Sequence, residues 1–238
     1  MGKNRVVKYL KKTVACIAAT AIVLSVNPAG IPYLGETGIG TVVEAETTVV
    51  EIGTYEAFQT FAETVNAGDT QGKYASVKLT ADIEIPSGTE WVPIGSAGTP
   101  YTGTFDGDGH TISGLTYTSE TMPNGEKAAF GLFGYVKDAA IKDVTVSSFS
   151  LNGAGFIGGL CGYADGAVIE NCTVDKSCTI TSSASLVGGL VCMVDNGTEI
   201  LNCTVAADII LTGQGPTGGF TYMLPVSYTH LRAHETPE

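Results

Sequence analysis

Apolar and polar residues alternate over short stretches along this chain, and the alternation is punctuated by glycine. From Ser76 to Ile85 the apolar positions Val77, Leu79, Ala81, Ile83 and Ile85 are separated by single residues, which predicts a half-buried strand, ended by Pro86, Ser87 and Gly88. One stretch has a longer period. Phe58, Phe61, Ala62 and Val65 fall on one face of a 3.6-residue repeat, predicting a helix over about 55–66. Thr54 is placed to cap its start, Glu56 lies near the positive end of its dipole, and Gly68 stands just past its end.

Beyond residue 130 the pattern repeats. Gly131-Leu132-Phe133-Gly134-Tyr135-Val136 returns as Gly159-Leu160-Cys161-Gly162-Tyr163-Ala164 and as Gly189-Leu190-Val191-Cys192-Met193-Val194, and begins again at Gly219-Phe220, at intervals of 28, 30 and 30 residues. A second phrase keeps step: Ile141-Lys142-Asp143-Val144-Thr145-Val146, Ile169-Glu170-Asn171-Cys172-Thr173-Val174 and Ile200-Leu201-Asn202-Cys203-Thr204-Val205. A period of this length marks one supersecondary unit that buries its apolar face only against its neighbours.

Strand side chains alternate, so Cys172 and Val174 point one way and Thr173 the other. Parallel stacking then predicts one inner ladder of Val144, Cys172 and Cys203 and a second of Val146, Val174 and Val205. Asp143, Asn171 and Asn202 precede the ladders at a bend, where their side chains tolerate left-handed backbone and can bond stacked amides. The Gly-Gly pairs before the later copies fit a second tight corner. The fold class is all-β, a parallel β-helix with a short N-terminal helical cap covering the open end of the stack.

Between helix and repeats, Trp91-Val92-Pro93-Ile94-Gly95 leads to Thr104-Phe105-Asp106-Gly107 and His110-Thr111-Ile112-Ser113-Gly114-Leu115. Together with the Gly-Leu-Phe-Gly phrase, these residues resemble the GLUG-motif proteins of bacterial cell surfaces, over roughly 54–220. The resemblance implies a right-handed parallel β-helix of the kind found in surface adhesins and in the N-terminal regions of some immunoglobulin A proteases. It brings no catalytic residues to carry over.

Charge and termini add to this. The chain has a formal charge of -12, yet Lys3, Arg5, Lys8, Lys11 and Lys12 sit ahead of an apolar stretch from Thr13 to Val26, the pattern of a secretory leader. Val43-Glu44-Ala45 offers a cleavage site, giving a leader of residues 1–45; an uncleaved anchor is the competing reading. Between Glu46 and Leu224 stand 20 carboxylates against six lysines and no arginine. That surface excludes nucleic acid as a partner and, once the leader is cleaved, membrane insertion.

The last residues break the repeat. Pro225 to Glu238 bring the only arginine beyond the leader and two of the three histidines, and they resemble a translated transposase adapter of the kind used in shotgun sequencing. The expected organisation is a leader at 1–45, an N-terminal cap at 46–90, GLUG-type repeats at 91–224, truncated at their C-terminal end, and adapter read-through at 225–238.

Candidate chemistry is sparse. Asp106-Gly107-Asp108-Gly109 has the alternating carboxylates of half a calcium loop, but the residues that follow supply no further ligands, so it reads as a turn. His110 is the one histidine between Glu46 and Leu224 and makes neither triad nor metal centre alone. Cys161, Cys172, Cys178, Cys192 and Cys203 lack the spacing of a zinc knuckle. Cys172 and Cys203 should lie one turn apart, as two buried thiols or as a disulfide the spacing just accepts. Asn171, Asn196 and Asn202 each open an Asn-x-Thr sequon, read here as turn and ladder residues.

The expectation is therefore a non-catalytic, secreted or cell-surface β-solenoid, acting as scaffold or adhesin-like module, with no cofactor and with a host or matrix glycan or protein as partner. The side carrying Tyr135, Tyr163 and Tyr222 is the place to look for that contact, set against a packing role for the same rings. The alternative is the N-terminal non-catalytic region of a large secreted protease or carbohydrate-active enzyme.

Overall fold

Runs such as Val144-Thr145-Val146 are too short to form a sheet alone. Each finds its backbone partners in the equivalent run one repeat away. A computed structural model describes residues 48–69, 72, 74–118, 129–153, 155–182, 186–211 and 217–218. The strands in them stack in parallel and in register as a β-solenoid of about 5 turns.

Each complete turn carries five short strands, one on each of five faces. The first face stacks Val50–Ile52, Ser76–Leu79, Thr104–Asp106, Ala140–Lys142, Val168–Glu170 and Glu199–Leu201. The second stacks Ile83–Glu84, Thr111–Ser113, Thr145–Ser147, Thr173–Val174 and Thr204–Val205. The third carries Thr116–Tyr117, Ser150–Gly153, Thr179–Ser182 and Asp208–Leu211, and the fourth Ala129–Phe130, Phe156–Gly158, Leu186–Gly188 and Thr217–Gly218. The fifth, Phe133–Lys137, Cys161–Asp165 and Val191–Asp195, follows directly on the Gly-Leu pairs of the repeated phrase.

Register puts like side chains on top of like. Val77, Phe105, Ile141, Ile169 and Ile200 form one inner column, all buried. Leu132, Leu160 and Leu190, the leucines of the repeated phrase, are fully buried. The glycines beside them are there because the chain doubles back on itself: a Cβ on Gly158 would lie 2.0 Å from the Cys161 carbonyl oxygen, and one on Gly188 the same distance from that of Val191.

The helix spans Tyr55–Asn66, with the Thr54 hydroxyl accepting from the Ala57 amide at 3.2 Å. It takes the place of the other faces in the first turn, between Val50–Ile52 and Ser76–Leu79. Phe58 stacks on Trp91, and Phe61 on Phe105, at centroid distances of 5.3 and 6.0 Å. At its last residue the Asn66 side chain accepts from the Gly95 amide and donates to the Pro93 carbonyl, clamping the helix end to the coil.

Two boundaries differ from those read in the sequence. The strand expected over 76–85 is two, Ser76–Leu79 and Ile83–Glu84, on different faces. Alternation continues across the intervening corner because inward side chains are apolar on both faces, so periodicity alone does not register the bend. The cap-to-repeat boundary expected at residue 91 falls inside the coil, whose first face already includes Val50–Ile52 and Ser76–Leu79.

Candidate functional site

Residues expected to face inward or to make the bend lie together at the corner between the first and second faces. Thr145, Thr173 and Thr204 pair in register, as do Val146, Val174 and Val205. The valine column continues upward through Ile112 and Ile83. Val144, Cys172 and Cys203 occupy the inner position two residues before that column and are buried, as are Val146 and Val174; Val205 is partly buried. Asp143, Asn171 and Asn202 adopt φ of 54°, 53° and 52°, the left-handed conformation that short polar side chains tolerate best after glycine. Gly109, at the equivalent place one turn earlier, has φ of 81° and donates its amide to the Asp143 carbonyl.

This bend is also where charge gathers. Lys142 lies 2.5 Å from Asp106 and 3.4 Å from Asp143, Lys78 lies 3.0 Å from Asp108, and the Asn171 side-chain Nδ2 donates to the Asp143 carboxylate at 2.9 Å. The Lys142–Asp106 contact follows from a column on the outside of the first face in which Glu51, Lys78, Asp106, Lys142 and Glu170 alternate in sign before Leu201 ends the series. Asp106 is partly desolvated, which raises its pKa. The Lys142 contact, the Asp108 amide and the two ammonium charges outweigh this and hold it below the usual carboxylate value. Lys142 is raised, chiefly by its bond to Asp106. A carboxylate held by an ammonium group and a backbone N–H is spent on the fold rather than offered to a ligand.

The Asp106-Gly107-Asp108-Gly109 segment is a tight turn: His110 donates to the Gly107 carbonyl, and the Asp108 amide to the Asp106 carboxylate. Among the described residues no group of three or more potential ligands is placed to hold a metal ion. His110 sits 3.2 Å from Asp82, whose carboxylate also accepts from the Thr111 amide at 2.8 Å. Asp82 is lowered by the Thr111 amide first and by His110 second. The pair is a side-chain staple between two turns.

On the fifth face Tyr135, Tyr163 and Met193 form one outer column. The two tyrosine rings stack on each other at 5.4 Å, and the Tyr163 hydroxyl donates to Asp195 at 3.2 Å. Each ring spends one face on the other, in keeping with a packing role for the pair. Tyr222 lies outside the described residues.

Sequence reading missed the alternating-charge column, because Asp106 and Lys142 are 36 residues apart while the later turns are shorter. The connection from Tyr117 to Ala129 is longer than its counterpart from Leu151 to Phe156, and this obscures the register. Asn196, read as a turn residue, proves to belong to a second left-handed corner whose other members, Asp138 and Gly166, were missed, at φ of 48° for Asp138, 63° for Gly166 and 48° for Asn196. The Asn196-Gly197 pair was a visible signal for it.

Set beside known proteins, the chain matches the family model described as the GLUG motif at residues 153–181 and 183–210. It is similar to halomucin of Haloquadratum walsbyi, 28% identical over 162 residues, which is 66% of this chain and 2% of that protein. The chain therefore spans a small fraction of the length of the relative it matches. No solved structure matches it. Both matched segments coincide with successive turns, each running from the third face round to the next copy of it. The described residues of both segments that match the GLUG motif thus lie in successive turns of the parallel β-solenoid.

Proposed function

We propose that this chain is a non-catalytic scaffold or adhesive module of a secreted or cell-surface protein. One observation carries the reading: the polar side chains that recur from turn to turn at the charged corner are paired with one another across turns, as in Lys142 with Asp106 and Asn171 with Asp143. Their chemistry serves stacking. The basic and apolar segments at the N-terminus, and the resemblance of the GLUG repeats to bacterial surface proteins, support export. No helix among the described residues is long and apolar enough to cross a membrane.

A second reading is the non-catalytic N-terminal region of a large exoenzyme, which rests on the resemblance of the repeats to such regions. The match to 2% of a relative suits a module of any large protein and does not separate the two readings. A two-part experiment tests the proposal. The mature N-terminus of the exported chain is determined by mass spectrometry, and the purified chain is presented with arrayed glycans and matrix proteins and with fluorogenic peptide and glycoside substrates. Export with cleavage before Glu46 and saturable binding without turnover is the expected result. Turnover that survives purification overturns the non-catalytic reading, and retention of an uncleaved chain in the cytoplasm overturns the location.

A further inference from the structure

Five cysteines are described, all buried and all free. Four columns of the coil receive them. Cys161 stacks between Phe133 and Val191. Cys178 precedes Thr179, whose partners are Ser150 and Asp208, so Phe149 and Ala207 are its column neighbours. Cys192 takes the position held by Gly162 one turn earlier. Cys172 and Cys203 alone share a column, one position before the paired Thr173 and Thr204.

We propose that Cys172 and Cys203 form an oxidisable pair, closing to a disulfide that staples one turn of the coil to the next. In-register parallel strands hold equivalent Cα atoms about 4.8 Å apart, inside the range of about 4.4–6.8 Å that disulfides span. The Cys203 sulfur is already directed at Cys172. The Cys172 amide donates to the Cys203 sulfur at 3.4 Å, while the Cys172 thiol lies 3.2 Å from the Glu170 carbonyl oxygen. Above them Val144 occupies the same column, so the pairing is confined to these two turns.

The two sulfurs are not equivalent. Cys172 is 0% exposed and Cys203 6%. The contact with Cys203 and burial hold the Cys172 thiol well above its usual pKa, whereas the contact with Cys172, its side chain and then its amide, lowers Cys203. Cys203, the more exposed of the two, is the sulfur a peroxide reaches first. With a peroxide as oxidant, its thiolate attacks one peroxide oxygen, the O–O bond breaks and hydroxide leaves, giving a sulfenic acid. The Cys172 sulfur then attacks the Cys203 sulfur; the S–S bond forms, the S–O bond breaks, and the departing hydroxide leaves as water with the Cys172 proton. One peroxide is reduced and two thiols are oxidised.

The test uses the full chain treated with dilute hydrogen peroxide, alkylated without reduction, and digested with trypsin and a glutamate-specific protease. Cleavage at Glu170 and Lys176 isolates Asn171 to Lys176 with Cys172 as its only cysteine, and cleavage at Glu199 separates Cys203 from Cys192. The expected product is that short peptide linked to the one beginning at Ile200, accompanied by a rise in Tm of about 5–10 °C that reductant reverses. Cys203→Ala should abolish the reversible shift and Cys178→Ala should leave it. Full alkylation of both cysteines after peroxide, a link to Cys178 or Cys192 instead, or oxidation of Cys203 that stops short of a bond to Cys172 overturns the proposal. The mapping is made on the unsubstituted chain, so a variant that fails to fold does not decide it.

Discussion

The Lys142 ammonium group lies 2.5 Å from the Asp106 carboxylate of one turn and 3.4 Å from Asp143 of its own. It therefore reports on stacking between turns. Its side chain is 39% exposed, so solvent and salt screen the contact, and Lys142→Met should destabilise by only about 0.5–1 kcal/mol. The pH dependence is more informative. A folded-state pKa held below its ordinary value gives stability that is fully present above that value and is lost as pH falls through the depressed one. Asp106 is such a group. Acid should lower the Tm of the native chain in the acidic range, and Asp106→Asn should be less stable at neutral pH and flatter on acidification. Thermal melts across that range check both slopes.

Inward and outward positions should differ sharply on substitution. Val174 is fully buried in the column of Ile83, Ile112, Val146 and Val205, so Val174→Asp places a carboxylate where no partner reaches it, at a cost of several kcal/mol. The chain should then fail to fold. Thr173, next to it, faces outward between Thr145 and Thr204, and Thr173→Asp should leave the far-UV circular dichroism and the Tm nearly unchanged. Equal loss in both variants would place the inner face wrongly.

The ladders and the helix were legible because each depends on periodicity that survives in the chain itself: alternate residues for Val174 and Cys172, a helical stripe for Phe58 and Phe61. The five-sided cross-section was not. Corners such as that between Leu79 and Ile83 change face without interrupting the alternation. Ion pairs such as Lys142 with Asp106 join residues whose separation varies with the length of the intervening turn. Charged side chains on the outside of a coil also carry no inward or outward signature, so the alternating signs emerge only once register is known.

Two glycines separate backbone geometry from crowding. A Cβ on Gly109 meets nothing within 4 Å, but its φ is 81°; Gly109→Ala should cost about 1–2 kcal/mol from left-handed strain alone. Gly109→Asn should recover most of that, since Asn171 and Asn202 adopt the same conformation in the same column. On Gly158 a Cβ would lie 2.0 Å from the Cys161 carbonyl oxygen, and backbone cannot yield as a side chain does. Gly158→Ala should cost more than Gly109→Ala, and chemical denaturation of the three variants gives the order.

Trp91 is the protein's single tryptophan, which makes the helix cap directly observable. Its ring is 3% exposed, stacks on Phe58 at an interplanar angle of 10°, and donates from Nε1 to the Leu132 carbonyl at 3.2 Å. Phe58 therefore joins the helix to the indole, and the indole joins that contact to the first Gly-Leu-Phe-Gly phrase. Phe58→Ala removes a fully buried ring, which typically costs about 3–5 kcal/mol, and it opens the space above Trp91. Water entering there should shift tryptophan emission to longer wavelength and expose it to acrylamide quenching. The Asn66 clamp on Pro93 and Gly95 stays in place, so the helix should loosen before it detaches. Hydrogen exchange should accordingly accelerate first in Tyr55–Asn66 and only later in the Thr145–Ser147 and Thr173–Val174 strands. Uniform acceleration through the coil would mean that cap and coil unfold as one unit.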